Sequence, residues 1–309
     1  MIKPLRLKPG GTIGIVNPSY WLKEEFLIKT VKIMEARGYK IQLGKSTKLK
    51  DNLFAGTPEE RAEDLMNMFM NPEIDAIVCA RGGYGANRVE PLLDYDIIKA
   101  NPKIFMGYSD ITAYSTSITQ KTGLVTFQGP MLVTHKDEEL EYNFINFEKG
   151  VVQAAPYLIE PPNDFPSRIL KTGTAEGPLW GGNISLLVNR LATANQLDTD
   201  GAILFLEDID EYLYSFDRTM YHLRQTGMFD KINGLIIGEM YEMKDTETPF
   251  GKTIDEIVMD VCGDLDIPII SNFACGHGRY QATMPISIPS RLQADSAIPT
   301  LEILESPVK

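Results

Sequence analysis

Ile104-Phe105-Met106-Gly107-Tyr108-Ser109-Asp110 is the stretch that decides the fold, because an apolar run gives way within one turn to a helical pattern that continues to about Lys121. In an open α/β sheet, ligands bind at the carboxyl ends of the strands, and a tight strand-to-helix turn raises a side chain into that crevice. Ser109 is therefore a candidate nucleophile. The backbone N–H groups of Asp110 and Ile111 stand at the start of the helix, where they can face a developing negative charge. Serine followed by aspartate is also an ordinary helix-capping pattern, and on these residues alone both readings stand.

On either side of this turn, short apolar runs alternate with amphipathic helices. Thr12-Ile13-Gly14-Ile15-Val16 reads as a strand, and the helix after it runs from about Glu24 to Ala36 and stops at Gly38. Thr57-Pro58-Glu59-Glu60 supplies an N-cap, a proline at the first helical position and a capping-box glutamate, after which Ala62, Leu65, Met66 and Phe69 form one apolar stripe. Ile74 to Cys79, Ile104 to Tyr108 and Val125-Thr126-Phe127 complete the set of strands. This rhythm predicts an open, doubly wound parallel sheet over residues 1–150.

Pro156, Pro161, Pro162 and Pro166 crowd residues 151–168, which read as a linker. Residues 169–309 then form a smaller α/β domain, with strands at Ile169-Leu170-Lys171, Ala202 to Leu206, Leu235-Ile236-Ile237 and Ile267 to Ile270. The tail from Ile286 to Leu304 predicts a closing β-hairpin or barrel edge, hence a β-barrel-like core.

The 309 residues carry 42 acidic against 30 basic side chains, a formal charge of −12 that argues against a nucleic-acid or anionic-membrane surface. No apolar stretch approaches the length of a membrane span, and Ile2 to Gly10 lacks the apolar core of a signal peptide, so a cytoplasmic protein is expected. Cys79, Cys262 and Cys275 are too dispersed for a disulfide framework or zinc cluster. No metal or cofactor is expected.

A serine hydroxyl needs a base, usually a histidine held in one tautomer by a carboxylate. Of the three histidines, His222 lies in a helical pattern, His135 in a loop, and His277 in Cys275-Gly276-His277-Gly278 after a strand, where flanking glycines allow close backbone approach. The candidate carboxylate is Glu207, where the apolar run Ala202 to Leu206 ends. Its neighbour Asp208 competes for the role, and the acidic run to Glu211 also reads as the start of a helix. Arg81-Gly82-Gly83-Tyr84-Gly85 is a plain tight turn or a source of oxyanion donors, Gly82 or Gly83 joining the Asp110 N–H.

Taken in order, Pro18-Ser19, Phe54-Ala55-Gly56-Thr57, Arg81 to Gly85, Gly107-Tyr108-Ser109-Asp110, Trp180-Gly181-Gly182-Asn183, Leu206-Glu207-Asp208, Asp217-Arg218 and Gly276-His277-Gly278 resemble the LD-carboxypeptidase family, which includes the microcin C self-immunity peptidases. The resemblance covers nearly the whole chain. It implies a Rossmann-like N-terminal domain bearing the nucleophile, a C-terminal domain bearing the other two members of a Ser109-Glu207-His277 triad, and a homodimer. It also implies a murein tetrapeptide substrate, cut before its terminal D-alanine during cell-wall recycling, with Tyr84, Trp180 and Asn183 as substrate contacts. Two positions depart from the family pattern, Gln281 and Ser287, where asparagine and glycine are common. A peptidase of nucleotide conjugates and a non-catalytic binder of small anions are the alternatives.

Overall fold

Fourteen short segments of the described residues, 1–135 and 140–309 of this computed structural model, are strands. In chain order they are β1 (Thr12–Val16), β2 (Lys40–Leu43), β3 (Ala76–Cys79), β4 (Ile104–Met106), β5 (Phe127–Gln128), β6 (Tyr157–Ile159), β7 (Arg168–Lys171), β8 (Thr174–Asn183), β9 (Ile203–Ile209), β10 (Gly234–Tyr241), β11 (Ile269–Gly276), β12 (Met284–Pro285), β13 (Pro289–Gln293) and β14 (Thr300–Ile303). The chain divides into two units: Met1–Ala155 with Ala282–Ser287 and Ser306–Lys309, and Pro156–Gln281 with Ile288–Glu305.

The first unit holds one sheet in the order β12-β5-β4-β3-β1-β2, parallel except for β12. Order 2-1-3-4-5 is doubly wound, with its switch point between β1 and β3. Helices cover both faces of such a sheet, which is why its strands are continuous apolar runs rather than alternating ones; Ile13, Ile15, Ile77, Ile104, Phe105 and Met106 are all fully buried. The helix Pro58–Met70 starts on the expected capping box: Glu60 N–H donates to the Thr57 hydroxyl at 3.2 Å, and Thr57 N–H donates to the Glu60 carboxylate at 2.8 Å. Two strands are shorter than the sequence suggests, β4 ending at Met106 and β5 beginning at Phe127.

The second unit holds a mixed eight-stranded sheet, β6-β14-β13-β8-β9-β10-β11-β7. The long strand β8 joins its halves, pairing antiparallel with β13 through Thr174–Pro178 and parallel with β9 through Leu179–Asn183. Leu204, Leu206, Leu235 and Ile237 pack against Phe216, Met220, Leu223, Ile257 and Val261 of the covering helices. The tail forms the expected hairpin, β13 with β14. Residues 151–168, read from sequence as a linker, include β6, which pairs with β14. Strands β9 and β10 run on to Ile209 and Tyr241, past the points where their apolar runs end. That extension places acidic side chains within the sheet.

Candidate active site

After β4 the chain turns through Ser109, whose φ of +64° is unfavourable for a residue with a side chain. Ile111 N–H closes the turn on the Tyr108 carbonyl at 3.2 Å, and Thr112 N–H reaches the Ser109 carbonyl at 2.9 Å. Asp110 stands at the N-cap of the following helix, Ile111–Thr122, but its side chain makes no capping hydrogen bond, so the capping pattern in the sequence is not realised. Ser109 stays half-buried. Asp110, 2% exposed, instead accepts hydrogen bonds from the Ser19 hydroxyl at 2.5 Å and Ala86 N–H at 2.8 Å. One carboxylate thereby ties together the loops that follow β1, β3 and β4. Burial pushes its pKa up, against those two hydrogen bonds and the charge of Arg61. Arg61 is itself buried and donates to the carbonyls of Pro18 and Gly85.

Gly82 backs directly onto the turn. A Cβ there would lie 2.9 Å from the Ser109 Cβ and 3.1 Å from the Tyr108 carbonyl oxygen, so the close approach requires glycine. Of the expected oxyanion donors, Ile111 N–H is taken by Tyr108. The amides of Asp110, Gly82 and Gly83 have no acceptor among the described residues.

In the second unit, His277 Nδ1–H donates to Glu207 Oε2 at 2.7 Å. Glu207 is completely buried, and 11% of the His277 side chain is exposed. Burial alone would lower the imidazole pKa, but the charge of Glu207, its hydrogen bond and the charges of Asp208 and Glu239 raise it. Strand geometry separates the two adjacent acids, since successive side chains point to opposite faces. Asp208 turns away and accepts from Asn183 Nδ2 at 2.9 Å and from the amide and hydroxyl of Ser185 at 3.1 and 2.8 Å, bracing the helix Ile184–Asn189. Gln281, one of the departures from the family pattern, donates from its amide to the carbonyls of Gly276 and Gly278 and so pins the histidine loop. Ser287, the other, has φ +70°, a conformation that glycine would take without strain.

The sequence did not single out Glu239, at the carboxyl end of β10. Its register partner on β11 is Gly276, and a Cβ on Gly278 would fall 1.6 Å from Glu239 Oε2. Gly276 is dictated by its φ of +129° and by the Glu239 carbonyl oxygen 2.8 Å from its would-be Cβ, whereas at Gly278 the close neighbour is the end of the Glu239 side chain.

The other expected residues are spread more widely. Tyr84 is 48% exposed beside Phe54, and Trp180 packs half-buried against the core of the second unit. Asn183 is not available as a substrate contact: it is 3% exposed, its Oδ1 accepts from Leu186 N–H and its Nδ2 serves Asp208, because the residue is the N-cap of a helix. His222 is exposed on the helix Leu213–Gln225. His135, expected in a loop, ends the short 3₁₀ helix Leu132–His135, where it is 3% exposed, stacks on Phe144 at 4.5 Å and has its pKa lowered by burial to about 4. The three cysteines are free and buried. Among the described residues, no cluster of three or more His, Cys, Asp or Glu side chains could hold a metal ion.

Residues 13–129 match the LD-carboxypeptidase N-terminal domain and residues 176–292 the LD-carboxypeptidase C-terminal domain. A probable murein peptide carboxypeptidase of Bacillus subtilis is 32% identical over 307 residues, covering 97% of this chain and 94% of the relative. The wild-type microcin C7 self-immunity protein MccF superimposes with a TM-score of 0.91 at 27% identity, over all of both chains. That protein has also been solved with aspartyl sulfamoyl adenosine, at a TM-score of 0.89 and 28% identity. A muramoyltetrapeptide carboxypeptidase from Oxalobacter formigenes matches with a TM-score of 0.84 at 26% identity, over 96% of this chain and 100% of that one.

Proposed function

The chain belongs to the LD-carboxypeptidase family, and from that premise we propose that it is a serine carboxypeptidase that hydrolyses the L,D peptide bond before the terminal D-alanine of murein tetrapeptides. The observation that carries this reading is the buried Glu207–His277 hydrogen bond, found in a chain that also presents Ser109 on a strained strand-to-helix turn.

In the proposed reaction, the Ser109 hydroxyl attacks the carbonyl carbon of the third residue while His277 takes its proton. Glu207 holds the imidazole in the tautomer with Nδ1 protonated and stabilises the imidazolium. The tetrahedral oxyanion is held by the Asp110 N–H with Gly82 or Gly83. His277 then gives its proton to the departing nitrogen, releasing D-alanine and leaving an ester on Ser109. Water, deprotonated by His277, attacks that ester, and the imidazolium then gives the proton to the departing Ser109 oxygen, freeing the tripeptide. Tyr84 and Trp180 are the proposed substrate contacts. The recycling role carries with it a cytoplasmic location and a homodimeric state, to be read by fractionation and by sedimentation; no helix among the described residues is long and apolar enough to cross a membrane.

Mass-spectrometric detection of D-alanine from L-Ala-γ-D-Glu-meso-diaminopimelate-D-Ala, with Ser109→Ala beside the wild type, tests the reaction and its nucleophile together. Release by the wild type alone supports both. A second reading, hydrolysis of an aminoacyl or peptidyl nucleotide, is favoured by the likeness to the protein solved with aspartyl sulfamoyl adenosine. Trp180 would then offer an aromatic face to the base. Turnover of such a conjugate without turnover of either the diaminopimelate or the lysine tetrapeptide would select it. If neither class of substrate is cleaved and no serine-directed probe labels Ser109, the chain is a binding protein instead.

A further inference from the structure

We propose that Glu239 is a positioning residue for His277, a second carboxylate that fixes the histidine loop by contact and holds the proton on the imidazole by charge. The inference rests on the acid–base role proposed for His277.

Three observations converge on it. The Glu239 carboxylate lies against the Cα of Gly278, since a Cβ built there would fall 1.6, 2.1 and 2.4 Å from its Oε2, Cδ and Oε1 atoms. The Glu239 backbone also flanks Gly276, whose Cβ would stand 2.8 Å from the Glu239 carbonyl oxygen. The residues on both sides of His277 are thus packed against one glutamate, and the loop cannot shift without moving it. Finally, Glu239 Oε2 is buried with no hydrogen-bond partner among the described residues. A carboxylate so placed keeps much of its field for a neighbouring positive charge.

The groups that face His277 in its unit account for the remaining electrostatics. From β9 come Glu207, hydrogen-bonded to Nδ1, and Asp208 behind it; from β10 comes Glu239. Within the loop, Arg279 and Tyr280 are directed to Asp164, and Cys275 is held in its neutral form by burial. Glu207 therefore sets the tautomer, while Glu239 adds charge without competing for Nδ1. Burial raises the pKa of Glu239, and the imidazolium opposes that rise, so the two groups favour each other's charged form.

The test is a direct NMR titration of the imidazole of His277 in the full chain, its signals identified by their loss in His277→Gln. Glu239→Gln keeps the shape and removes the charge. The His277 midpoint should fall in Glu239→Gln, by less than in Glu207→Gln, and be largely restored in Glu239→Asp. In parallel, the acid limb of kcat/KM for tetrapeptide hydrolysis should move down by the same interval with KM little changed. An unmoved midpoint in a folded Glu239→Gln overturns the proposal, as does an equal fall in Glu239→Asp, which would mean that shape rather than charge is responsible. The titration needs no substrate, so a chain that fails to cleave tetrapeptide contradicts the proposed function while leaving Glu239 to be judged on the midpoint alone.

Discussion

At the end of β4, the residue with the chemically useful side chain bears the unusual backbone conformation itself, Ser109 at φ +64°, and the nearby carboxylate is spent on the Ser19 hydroxyl and Ala86 N–H. At the end of β11, a glycine bears it, Gly276 at φ +129°, and carboxylate oxygens are left over: Glu207 Oε1 and Glu239 Oε2 are buried without hydrogen-bond partners among the described residues. The first region is organised around shape, with its buried Asp110 carboxylate engaged while the Asp110, Gly82 and Gly83 amides have no acceptor among the described residues. The second is organised around charge, with Glu207 bonded to the imidazole and Asp208 and Glu239 adding their fields. The role proposed for Ser109 depends on position and the role proposed for His277 on affinity for a proton, so under that proposal the two turns differ in the quantity each controls.

The sharpest way to break this contrast is to remove the proposed nucleophile and the proposed orienting carboxylate in turn. Ser109→Ala should lower kcat/KM by a factor on the order of 10⁴ or more while leaving circular dichroism and melting unchanged. Activity within tenfold of wild type would show that position at this turn is irrelevant to turnover. Glu207→Gln keeps the shape and deletes the charge, and should cost roughly 10³ in kcat. A loss in KM alone would place Glu207 outside the acid–base machinery.

The histidines sharpen the comparison through pH. His135, in the first unit, has its pKa lowered to about 4, so between pH 6.5 and 4 the unfolded chain binds a proton that the folded chain refuses. Stability should therefore fall as pH drops through that window, by about 3 kcal/mol in all. His277, in the second unit, has a raised pKa and acts with the opposite sign: its contribution is fully present below about pH 6.5, the unfolded value, and is lost as pH rises through the folded one. Urea denaturation from pH 7.5 to 4.5 should be visibly less pH-dependent at the acid end in His135→Phe, which keeps the ring stacked on Phe144. An unchanged slope would locate the acid sensitivity elsewhere. The smallest effect is a gain. Ser109→Gly should relieve the positive φ and stabilise the chain by about 1 kcal/mol while abolishing turnover, measured by thermal melting beside an activity assay.

What could be read from the sequence follows the range of the interactions involved. The Thr57–Glu60 capping box and the stop at Gly38 are local, and both are found as expected. The Ser109 turn was recognisable from the change of periodicity over seven residues. Its capping alternative needed the structure, because Asp110 bonds Ser19, 91 positions away. The choice between Glu207 and Asp208 was illegible for a related reason: β9 is buried through both residues, so no alternation in the sequence shows which acid faces the histidine. Asn183 resembled a binding residue because an asparagine that caps a helix looks the same in sequence as one that meets a ligand. Glu239 left no trace, since β10 continues four residues past its apolar run and meets Gly276 only through pairing with β11.

The pairing of Met284–Pro285 with β5 has a further consequence for the order in which the molecule can be made. The first sheet is bordered by a strand that follows the larger part of the second unit, Pro156–Gln281, in the chain. During synthesis the ribosome must therefore deliver nearly all of the second unit before β5 gains its neighbour. Until then the edge of β5 stands open, a template for unwanted strand pairing with another nascent chain. A gene fragment encoding residues 1–155 would keep the molecule permanently at that stage.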